Sequence, residues 1–499
     1  MGVSSFIVKI LAKRAFKKVQ SDRKSAINNQ RRVFCSIRGL GKNTLIAKNL
    51  NLNREFKYGE FVKKVPISNY EDYQNYISLI SKGEKNILTQ GSPDYFAITS
   101  GTTSGTKYIP LTKRMWDFHA QSIKELLLLY AHQTNNYNFS GAGMMFIQGS
   151  PKLSYFNKIP FGKLSGIAAR HVPFFLKKNR FPSMKTNEIE PWAKKIDSIV
   201  GETWNKNMQI IGGIPPWVIT YFDALLEHTK KGQVKEVFPS LKLYIHGGTG
   251  FGPYKDTFLK LCGEINTLEV YPASEGFFAY QDNLLDEGLL LLTNHGVFYE
   301  FILLKDFQNK KLNRITLESV DLNVDYVMIV STIAGLWAYN TGDTIRFVSK
   351  DPYKIIFSGR ATQYCSAFGE HVIEKEVQAA LIGALNQCGG AVTEFTVCPK
   401  VCAPPEVSYH EWFIEFSEPP DDLLGFKKIL SQIMRDQNVY YKDLVDSGVI
   451  SSLKIFVVKR GGFNAYMKSI GKFGGQNKCP HLSNERTIGN FLLKKHVEN

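Results

Sequence analysis

The densest group of residues that could do chemistry is the segment TSGTTSGTK at 99–107, which follows an apolar run. Glycines let backbone N–H groups turn towards an anion, and serine and threonine hydroxyls add further donors. Lys107 supplies positive charge at the end of the segment. The segment therefore predicts a loop that cradles phosphate, in preference to a flexible Gly/Thr turn. It is not a Walker A loop, because only three residues separate Gly101 from Gly105 and Tyr108 follows the lysine.

A carboxylate follows a second apolar run. Glu275 lies in YPASEG at 271–276, directly after the strand-like segment 268–270. In open α/β sheets, ligands bind beyond the carboxyl ends of the strands. Mg²⁺ prefers one or two carboxylates together with phosphate oxygens. Glu275 is therefore a candidate magnesium ligand, although a glutamate in a turn, taken alone, is more often simply solvated.

Two further polar segments could bind the sugar and phosphate of a nucleotide. Asp343 ends YNTGD at 339–343, and its carboxylate could accept two hydrogen bonds from a ribose diol. Arg360 ends SGR at 358–360 and could pair with phosphate or ribose. The segment after Arg360 could act as a hinge. An aspartate in a Thr-Gly-Asp turn is, in isolation, usually only a turn residue.

A lysine and a glycine turn complete the set. Lys478 lies in GGQNKCPHL at 474–482, a loop from which a mobile domain could deliver a cation to a reacting carboxylate or phosphate. A lone loop lysine is, however, usually solvated. The turn Gly247-Gly248-Thr249-Gly250 follows a strand-like segment and could approach a flat ligand such as adenine. His246, just before it, is interpreted as a packed histidine.

These segments need elements to position them, and from about residue 95 the chain alternates short apolar runs with helix-length segments. Such alternation predicts an α/β fold in which mixed or parallel sheets are flanked by helices. The predicted strands are 95–98, 144–147, 208–211, 241–245, 268–270, 288–293 and 327–330. The predicted helices are 113–132, 190–206, 216–230 and 253–263.

The pattern changes near Arg360. From there it predicts a small α+β unit of about 140 residues. The boundaries are therefore placed as a large N-terminal domain, 1–360, and a smaller mobile C-terminal domain, 361–499. The elements predicted in the smaller unit are a helix at 370–386, strands at 391–398 and 410–416, a helix at 422–438 and a strand at 453–458.

Two helices are predicted before residue 95. Residues 4–34 show apolar positions at helical spacing with basic residues between them, which predicts one helix packed on the protein with a basic solvent face. A helix on a membrane surface is the alternative. Residues 68–82 predict a second helix, in which Ser68 and Glu71 form a capping box.

Composition excludes several classes of protein. The chain has 499 residues, with 43% hydrophobic and 21% charged, so it is not broadly disordered. It lacks an apolar run long enough to span a membrane. The net charge of +17 gathers at the ends, +8 in 1–32 and +7 in 454–499, without a nucleic-acid-reading motif. Seven cysteines without a secretory leader predict a reduced, cytoplasmic protein.

Taken in order, the segments resemble the adenylate-forming superfamily of acyl-CoA ligases, peptide-synthetase adenylation domains and luciferases. They are more closely similar to the auxin-responsive acyl acid–amido synthetases, the Gretchen-Hagen-type family of plant hormone-conjugating enzymes and their bacterial relatives. A bacterial-type member is expected. The resemblance extends over essentially the whole chain. The segments that carry it are NQRRVF, FVKKVPISNYEDYQNYISLISKGEKNIL, YFAITSGTTSGTK, YPASEG, YNTGD, GR followed by FGEHVIEKEV, and GGQNKCPHL.

The resemblance implies an enzyme that uses ATP and Mg²⁺. Such enzymes join a carboxylic acid to AMP with release of pyrophosphate, and an amine, here expected to be an amino acid, then attacks the acyl-adenylate to give an amide. Lys107, Glu275 and Lys478 are the implied catalytic residues, and Glu275 is also the implied metal ligand. The implied nucleotide-binding residues are Ser100, Gly101, Thr102, Thr103, Ser104, Gly105, Gly247, Gly248, Thr249, Tyr271, Ala273, Ser274, Asp343 and Arg360.

Individual roles follow from the same resemblance. Ser100 to Lys107 would surround the phosphates, Gly247–Thr249 would lie against adenine, and Tyr271 would stack on the base. Asp343 would hold the ribose hydroxyls, with Arg360 adding a contact at the hinge. Lys478 would be swung in by the small domain for adenylation.

Two positions depart from the family pattern. Asn340 stands where the family usually has arginine in YRTGD, and His481 stands where it usually has arginine after the Lys-x-Pro turn. The second change predicts a weaker phosphate contact near His481. Both bear on substrate and rate and leave adenylation itself in place.

Alternative functions differ in what they predict. An acyl-CoA ligase of the same superfamily would use a thiol in place of the amine, and a non-catalytic member would bind ATP only. A nucleic-acid or membrane-surface protein would bind with steep salt dependence and ignore ATP. No stable membrane insertion and no nucleic-acid partner are expected. The acid, the amine, the base that deprotonates it and the oligomeric state are left open.

Overall fold

The structure is a computed structural model of the 499-residue chain. It describes residues 3–52, 55–100, 106–138, 143–171, 179–189, 192–248, 251–361, 364–365, 367–368, 370, 372–402, 406–473, 478–483 and 485–498. Among these residues, none of the helices is both long and apolar enough to cross a bilayer.

Helices are distributed along the whole chain. In chain order they are α1 (Val3–Lys24), α2 (Ala26–Gly41), α3 (Leu45–Asn49), α4 (Tyr58–Lys64), α5 (Tyr70–Ser81), α6 (Lys113–Thr134), α7 (Leu164–Arg170), α8 (Met184–Asn187), α9 (Trp192–Thr203), α10 (Pro215–Thr229), α11 (Val234–Val237), α12 (Lys255–Cys262), α13 (Leu304–Gln308), α14 (Glu374–Cys388), α15 (Leu423–Gln437), α16 (Val439–Asp446), α17 (Gly462–Ser469) and α18 (Thr487–Lys495). Two short 3₁₀ helices occupy Gly252–Tyr254 and Leu317–Ser319.

Within the described residues, the strands form four separate sheets. In chain order they are β1 (Tyr95–Ser100), β2 (Thr106–Leu111), β3 (Gly143–Phe146), β4 (Ser154–Phe156), β5 (Ile159–Lys163), β6 (Arg180–Phe181), β7 (Met208–Gly212), β8 (Leu243–Gly247), β9 (Asn266–Pro272), β10 (Phe277–Tyr280), β11 (Leu289–Leu291), β12 (Val297–Leu303), β13 (Ile315–Thr316), β14 (Asp325–Thr332), β15 (Tyr339–Lys350), β16 (Tyr353–Arg360), β17 (Tyr364–Cys365), β18 (Val372–Ile373), β19 (Ala391–Lys400), β20 (Tyr409–Glu418) and β21 (Lys454–Val457).

The largest sheet joins a parallel half to an antiparallel half. Its order is β13-β12-β14-β15-β16-β11-β10-β9-β8-β7-β3-β6, and its last five strands run parallel to one another. Helices α9, α10 and α12 pack on one face of the parallel half, and α6 packs on the other. Coverage on both faces is what lets these strands be almost wholly apolar. The prediction of an α/β fold with mixed or parallel sheets flanked by helices is confirmed.

The predicted first helix is in fact two. Ser25 leaves the helical conformation, with φ −108° and ψ 16°, and its carbonyl accepts the first hydrogen bond of α2 from the Asn29 amide. The break reorients the chain, because α1 packs on α6 whereas α2 packs on β12. Serine is a weak residue for a helix interior and a good one for an N-terminal cap, which places the break here.

The cap predicted for the next helix is displaced by one residue. The helix α5 begins at Tyr70, and the Asn69 amide donates to Asp72 Oδ2 at 2.8 Å, so the capping box is formed by Asn69 and Asp72. The prediction of Ser68 and Glu71 was wrong, because Ser68 is recruited by the sheet. Its amide donates to the Ala338 carbonyl at 3.0 Å.

The C-terminal part has its own core. Helices α14 and α15 pack together and against the sheet β19-β20-β21, in which β20 and β21 are parallel. Trp412 on β20 and Phe426 on α15 are both fully buried there. The predicted helices and strands of this region are confirmed, with the first helix beginning at Glu374, four residues later than expected.

Candidate functional site

The glycine turn after β8 lies near the side chains of Glu275, Asp343, Lys107 and Lys478, and the region that these residues share is here called the cleft. Gly247 ends β8 directly beside Val270 of the parallel neighbour β9. A Cβ on Gly247 would lie 2.2 Å from the Val270 carbonyl oxygen, so only glycine fits there. Gly248 follows with φ +84°, a conformation that favours glycine. Thr249 lies outside the described residues. His246 is buried, and desolvation lowers its pKa to about 3, in agreement with its interpretation as a packed histidine.

The YPASEG segment is a tight turn at the end of β9. The Ala273 amide donates to the Gly276 carbonyl at 2.9 Å, and the Gly276 amide donates back to the Ala273 carbonyl at 3.3 Å. Ser274 and Glu275 form the tip of this turn between β9 and β10. Burial raises the pKa of Glu275 to about 7, and the nearby Asp343 carboxylate acts in the same direction. The turn therefore presents a partly desolvated carboxyl group.

A second carboxylate is held by a hairpin. Asp343 on β15 lies directly opposite Arg360 on β16, and Arg360 Nε is 3.2 Å from Asp343 Oδ1. The Tyr271 hydroxyl donates to Asp343 Oδ2 at 2.6 Å. Asp343 is 6% exposed, and its Oδ1 has no hydrogen-bond donor in the described structure. Asn340, where the family usually has arginine, accepts from the Gly342 amide at 3.0 Å and orders this turn.

Lys107 comes from a different sheet. The predicted phosphate loop connects two antiparallel strands, β1 and β2, so it joins a hairpin, and α6 follows only after β2. Ser100 ends β1, and 101–105 lie outside the described residues, so the predicted contacts of Gly101, Thr102, Thr103, Ser104 and Gly105 stay predictions. Lys107 Nζ is 5.7 Å from the centre of the Tyr70 ring. Its charge lowers the pKa of Glu275, which places the two groups in the same cleft.

Lys478 reaches this cleft from the C-terminal part. Its Nζ is 3.1 Å from the position that a Cβ on Gly248 would occupy. The surrounding walls desolvate the ammonium and Arg360 repels it, which together lower the pKa of Lys478 to about 8. Asp343 and Glu374 oppose this shift. The side chain is nevertheless accessible to solvent. A cation from one part of the chain is thus held beside the glycine turn of the other.

Sequence reasoning missed the residues behind Lys478. His481 is 2% exposed and lies between two carboxylates, with Nδ1 3.1 Å from Glu374 Oε1 and Nε2 3.2 Å from Glu394 Oε1. Tyr254 donates to Glu394 at 3.2 Å. The segment FGEHVIEKEV had been singled out only as a hinge, and its Glu374 gave no separate signal. The expected weaker phosphate contact near His481 stays a prediction, and the His481 ring itself is buried.

A further group of ligand-type side chains lies outside the cleft. Glu370 Oε1 is 3.1 Å from Cys365 Sγ and 2.9 Å from His410 Nε2, and its Oε2 accepts from the Phe368 amide at 2.8 Å. All three side chains are buried. These separations are hydrogen-bond lengths, so three donors satisfy the buried carboxylate without a metal ion.

Comparison with known proteins agrees with this geometry. Three family descriptions match consecutive parts of the chain: the GH3 family N-terminal domain at 15–193, the GH3 family central domain at 290–360 and the GH3 family C-terminal domain at 375–487. Together they account for more than half of the residues.

Individual relatives are distant in sequence. The jasmonoyl-L-amino acid synthetase JAR4 of Nicotiana attenuata is 22% identical over 484 residues, with 81% of each chain covered. The indole-3-acetic acid-amido synthetase GH3.3 of Arabidopsis thaliana is 25% identical over 210 residues, which span 40% of this chain but only 35% of that relative. The solved structure of the GH3.15 acyl acid amido synthetase superposes with a TM-score of 0.77 at 17% identity, covering 97% of this chain and 96% of that one. The fold, the order of the motifs and the three matched domains lead to one conclusion: the chain belongs to the GH3 family.

Proposed function

We propose that the protein is an ATP-dependent acyl acid–amido synthetase, which adenylates a carboxylic acid and transfers the acyl group to an amine, with an amino acid as the expected acceptor. The observation that carries the proposal is the position of Lys478, which the C-terminal part holds beside Gly248 in a cleft that also contains Glu275 and Asp343. The names of the relatives, acid–amido and amino acid synthetases, support the same activity.

The ribose of ATP fits the Asp343 hairpin. Asp343 Oδ1 is buried and forms an ion pair with Arg360 but accepts no hydrogen bond, so a ribose hydroxyl would supply the missing donor. Tyr271 and Arg360 already fix the carboxylate, so its free lone pairs have a defined direction. Gly247 and Gly248 would let the adenine approach the backbone, since neither carries a side chain. We place Tyr271 at the base, with its hydroxyl anchored to Asp343.

Magnesium fits Glu275. Its carboxyl group is partly desolvated and lies near Asp343, so a divalent cation would stabilise the ionised form. When bound, Mg²⁺ would draw charge from phosphate oxygens and lower the barrier to their displacement. The charge of Lys107 lowers the pKa of Glu275, and we propose that Lys107 supplies a second positive charge there.

The protein side chains contribute mainly charge and orientation to the first step. A carboxylate oxygen of the acid attacks the α-phosphorus, a new P–O bond forms, and the bond to the bridging oxygen breaks as pyrophosphate leaves. Negative charge grows on the departing oxygens, and Lys478 and Lys107 are placed to stabilise it. Little proton transfer is needed, so the activation free energy is lowered mainly by the positioned cations.

In the second step, the amine replaces AMP at the acyl carbon. The amine nitrogen attacks the carbonyl carbon, the C–O bond to AMP breaks, and the nitrogen loses a proton. Lys478 is not required for this step in the proposal, because no pyrophosphate departs. We propose that residues 361–499 turn relative to 1–360 between the two steps, with the segment after Arg360 as the hinge.

The seven cysteines are free thiols, which favours a reducing compartment, and we propose the cytosol.

The test is ATP–pyrophosphate exchange over a panel of aromatic and aliphatic carboxylic acids. Wild type is compared with Lys478→Ala and Glu275→Ala, and the exposed Lys472→Ala and Glu227→Ala serve as matched controls. Acid-dependent exchange that is lost in the first pair and kept in the second supports adenylation. Product mass with amino acids or coenzyme A then separates an amido synthetase from a CoA ligase. No exchange with any acid, together with no ATP binding, overturns the proposal.

A further inference from the structure

We propose that His481 is a positioning residue for Lys478. With Glu374, Glu394 and Tyr254 it forms a buried network, here called the His481 network, that fixes the turn bearing Lys478 in the cleft. The inference rests on the proposed function, because the step it serves is adenylation.

The imidazole is held on both of its nitrogens. Nδ1 lies 3.1 Å from Glu374 Oε1 and also 3.1 Å from Gln378 Nε2, which itself donates to Glu374 Oε1 at 2.9 Å. Nε2 lies 3.2 Å from Glu394 Oε1. The ring stacks on Phe395 at 4.3 Å with an interplanar angle of 17°. Two carboxylates facing the two ring nitrogens favour the doubly protonated imidazolium, and they raise the pKa of His481 to about 9 although burial opposes this. The ring is therefore held in one orientation, and the two carboxylates favour its charged form.

The backbone around His481 is fixed as well. The Thr396 hydroxyl donates to the Pro480 carbonyl at 2.6 Å, and the Val397 amide donates to the His481 carbonyl at 2.9 Å. The Ser483 amide donates back to Val397 at 3.0 Å. These bonds attach the segment to the edge of β19. Only two residues separate His481 from Lys478, so these hydrogen bonds also restrict the position of the Lys478 backbone.

The network crosses from the C-terminal part to the large sheet. Tyr254 belongs to the 3₁₀ helix that follows the glycine turn, is 1% exposed, and donates to Glu394 Oε1 at 3.2 Å. Its hydroxyl is also 3.4 Å from His481 Nε2. Two residues earlier, Gly252 packs closely on α14, since a Cβ would lie 2.5 Å from the terminal methyl group of Ile382, which would have to shift. One segment of the large part therefore provides both Gly248, beside Lys478, and the hydroxyl that joins the network.

Glu374 connects His481 to the charge of Lys478. Burial alone would raise the pKa of Glu374, but the hydrogen bond from His481 and the charges of His481, Lys478 and Arg360 hold it below its ordinary value. Glu374 is thus in contact with the imidazole, and its charge also acts on Lys478. If His481 were neutral, Glu374 would compete with the phosphate oxygens for the Lys478 ammonium. His481 therefore acts on the reaction through the position and availability of Lys478.

The test compares His481→Gln, which removes the charge, with His481→Arg, which keeps it. In ATP–pyrophosphate exchange we expect His481→Gln to lower kcat by about tenfold to a hundredfold, because small displacements of a reacting group have effects of that size. The KM values for ATP and acid should change by less than about twofold. His481→Arg should recover most of the rate, and Tyr254→Phe should lose about threefold.

Two further measurements separate positioning from a general structural role. Amide formation from a preformed acyl-adenylate should be nearly unchanged in His481→Gln, because that step bypasses Lys478. In a Lys478→Ala background, adding His481→Gln should cause little further loss of exchange, since residues acting through one group are not additive. If exchange by Lys478→Ala is below detection, the role of His481 is judged from His481→Gln alone, by comparing its ATP–pyrophosphate exchange with its amide formation.

The outcomes are distinguishable. The inference is overturned if His481→Gln exchanges at the wild-type rate, if only KM changes, or if both half-reactions fall equally in a variant whose circular dichroism is native. If His481→Gln fails to fold, Tyr254→Phe replaces it in the test, because it removes only one hydroxyl. This variant should likewise slow ATP–pyrophosphate exchange and leave amide formation from the preformed acyl-adenylate nearly unchanged. A wild-type protein that exchanges with no acid contradicts the proposed function instead.

Discussion

The two parts of the molecule hold their site residues in opposite ways. In the large part, Gly247, Tyr271 and Asp343 lie on strands of one continuous sheet, and hydrogen bonds of the ladder fix their positions. In the C-terminal part, Lys478 lies on a turn, and buried ion pairs among side chains orient the residues behind it. Backbone pairing suits groups that bind a substrate, whereas a side-chain network suits a cation that must arrive and depart. The difference predicts distinct responses to substitution.

The largest effect is expected at the delivered cation. Lys478→Ala should lower ATP–pyrophosphate exchange by about 10²- to 10³-fold, the usual loss when one group that stabilises transition-state charge is removed. ATP affinity should change little. Exchange rates and calorimetric ATP binding measure the two quantities. The exposed Lys472→Ala is the matched control, and an equal loss there would show that general basic charge, rather than position, matters.

Substitution in the sheet-held part should affect binding. Asp343→Asn removes the charge that pairs with Arg360 and leaves one acceptor oxygen in place of two, so ATP affinity should fall by about tenfold. Calorimetry with ATP and with 2′,3′-dideoxy-ATP is the measurement. Wild type should lose affinity for the dideoxy nucleotide, and Asp343→Asn should discriminate between the two nucleotides less than wild type does. If the variant discriminates as strongly as wild type, Asp343 does not bind the ribose.

The pH dependence of kcat/KM for ATP should reflect one group from each part of the molecule, Glu275 and Lys478. Glu275 must be ionised to hold Mg²⁺, and its pKa is raised to about 7, so kcat/KM for ATP should fall as pH drops below that value. Lys478 must be charged, and its pKa is lowered to about 8, so kcat/KM should also fall as pH rises above that value. On the acid limb and on the alkaline limb, kcat/KM should change by about tenfold per pH unit.

The alkaline limb can be assigned by one conservative change. In Lys478→Arg the guanidinium stays charged, so this limb should move to higher pH while the acid limb stays in place. An alkaline limb that is identical in wild type and Lys478→Arg would show that another group is responsible.

The smallest effect concerns stability. The pKa of His481 is raised from 6.5 to about 9 in the folded protein. A raised histidine pKa adds stability that is fully present below the unfolded value and is lost as pH rises through the folded value. The ionisation of His481 should therefore contribute up to about 3 kcal/mol at pH 6, and this should vanish above about pH 9.

Melting temperatures across this pH range check the stability prediction. The difference between wild type and His481→Gln should be largest near pH 6 and should narrow towards pH 9.5. A difference that is independent of pH would mean that His481 packs there as a neutral ring.

How far the sequence could predict the molecule depends on how local each signal is. Asp343 was identified by its Thr-Gly-Asp turn, and in the structure it lies within β15. Gly247 follows an apolar run, and strand ends in α/β sheets are a general place for ligands, so its position was predicted. The direct pairing of Asp343 with Arg360 was not, because the register of a hairpin depends on turn geometry that the motifs do not show. The break at Ser25 was missed since helical spacing continues through it.

The His481 network could not be found from the sequence. Its partners are separated by long stretches of chain, 87 residues between His481 and Glu394 and 140 between Tyr254 and Glu394. Each residue, taken alone, is an ordinary polar side chain. Only the folded structure brings Glu374 into contact with His481 and close enough to Lys478 for the two charges to interact. The expectation of a bacterial-type member stays a prediction, since the curated relatives named above are plant proteins.

The central claim is that a carboxylic acid becomes joined to AMP in this cleft, and isotope transfer tests it most directly. The acid identified by exchange is labelled with ¹⁸O in both carboxyl oxygens and incubated with ATP, Mg²⁺ and the amine. The account predicts one ¹⁸O atom in the AMP phosphate and the other in the amide, as read by mass spectrometry. Unlabelled AMP, or label in inorganic phosphate together with ADP, would contradict adenylation and the role assigned to Lys478.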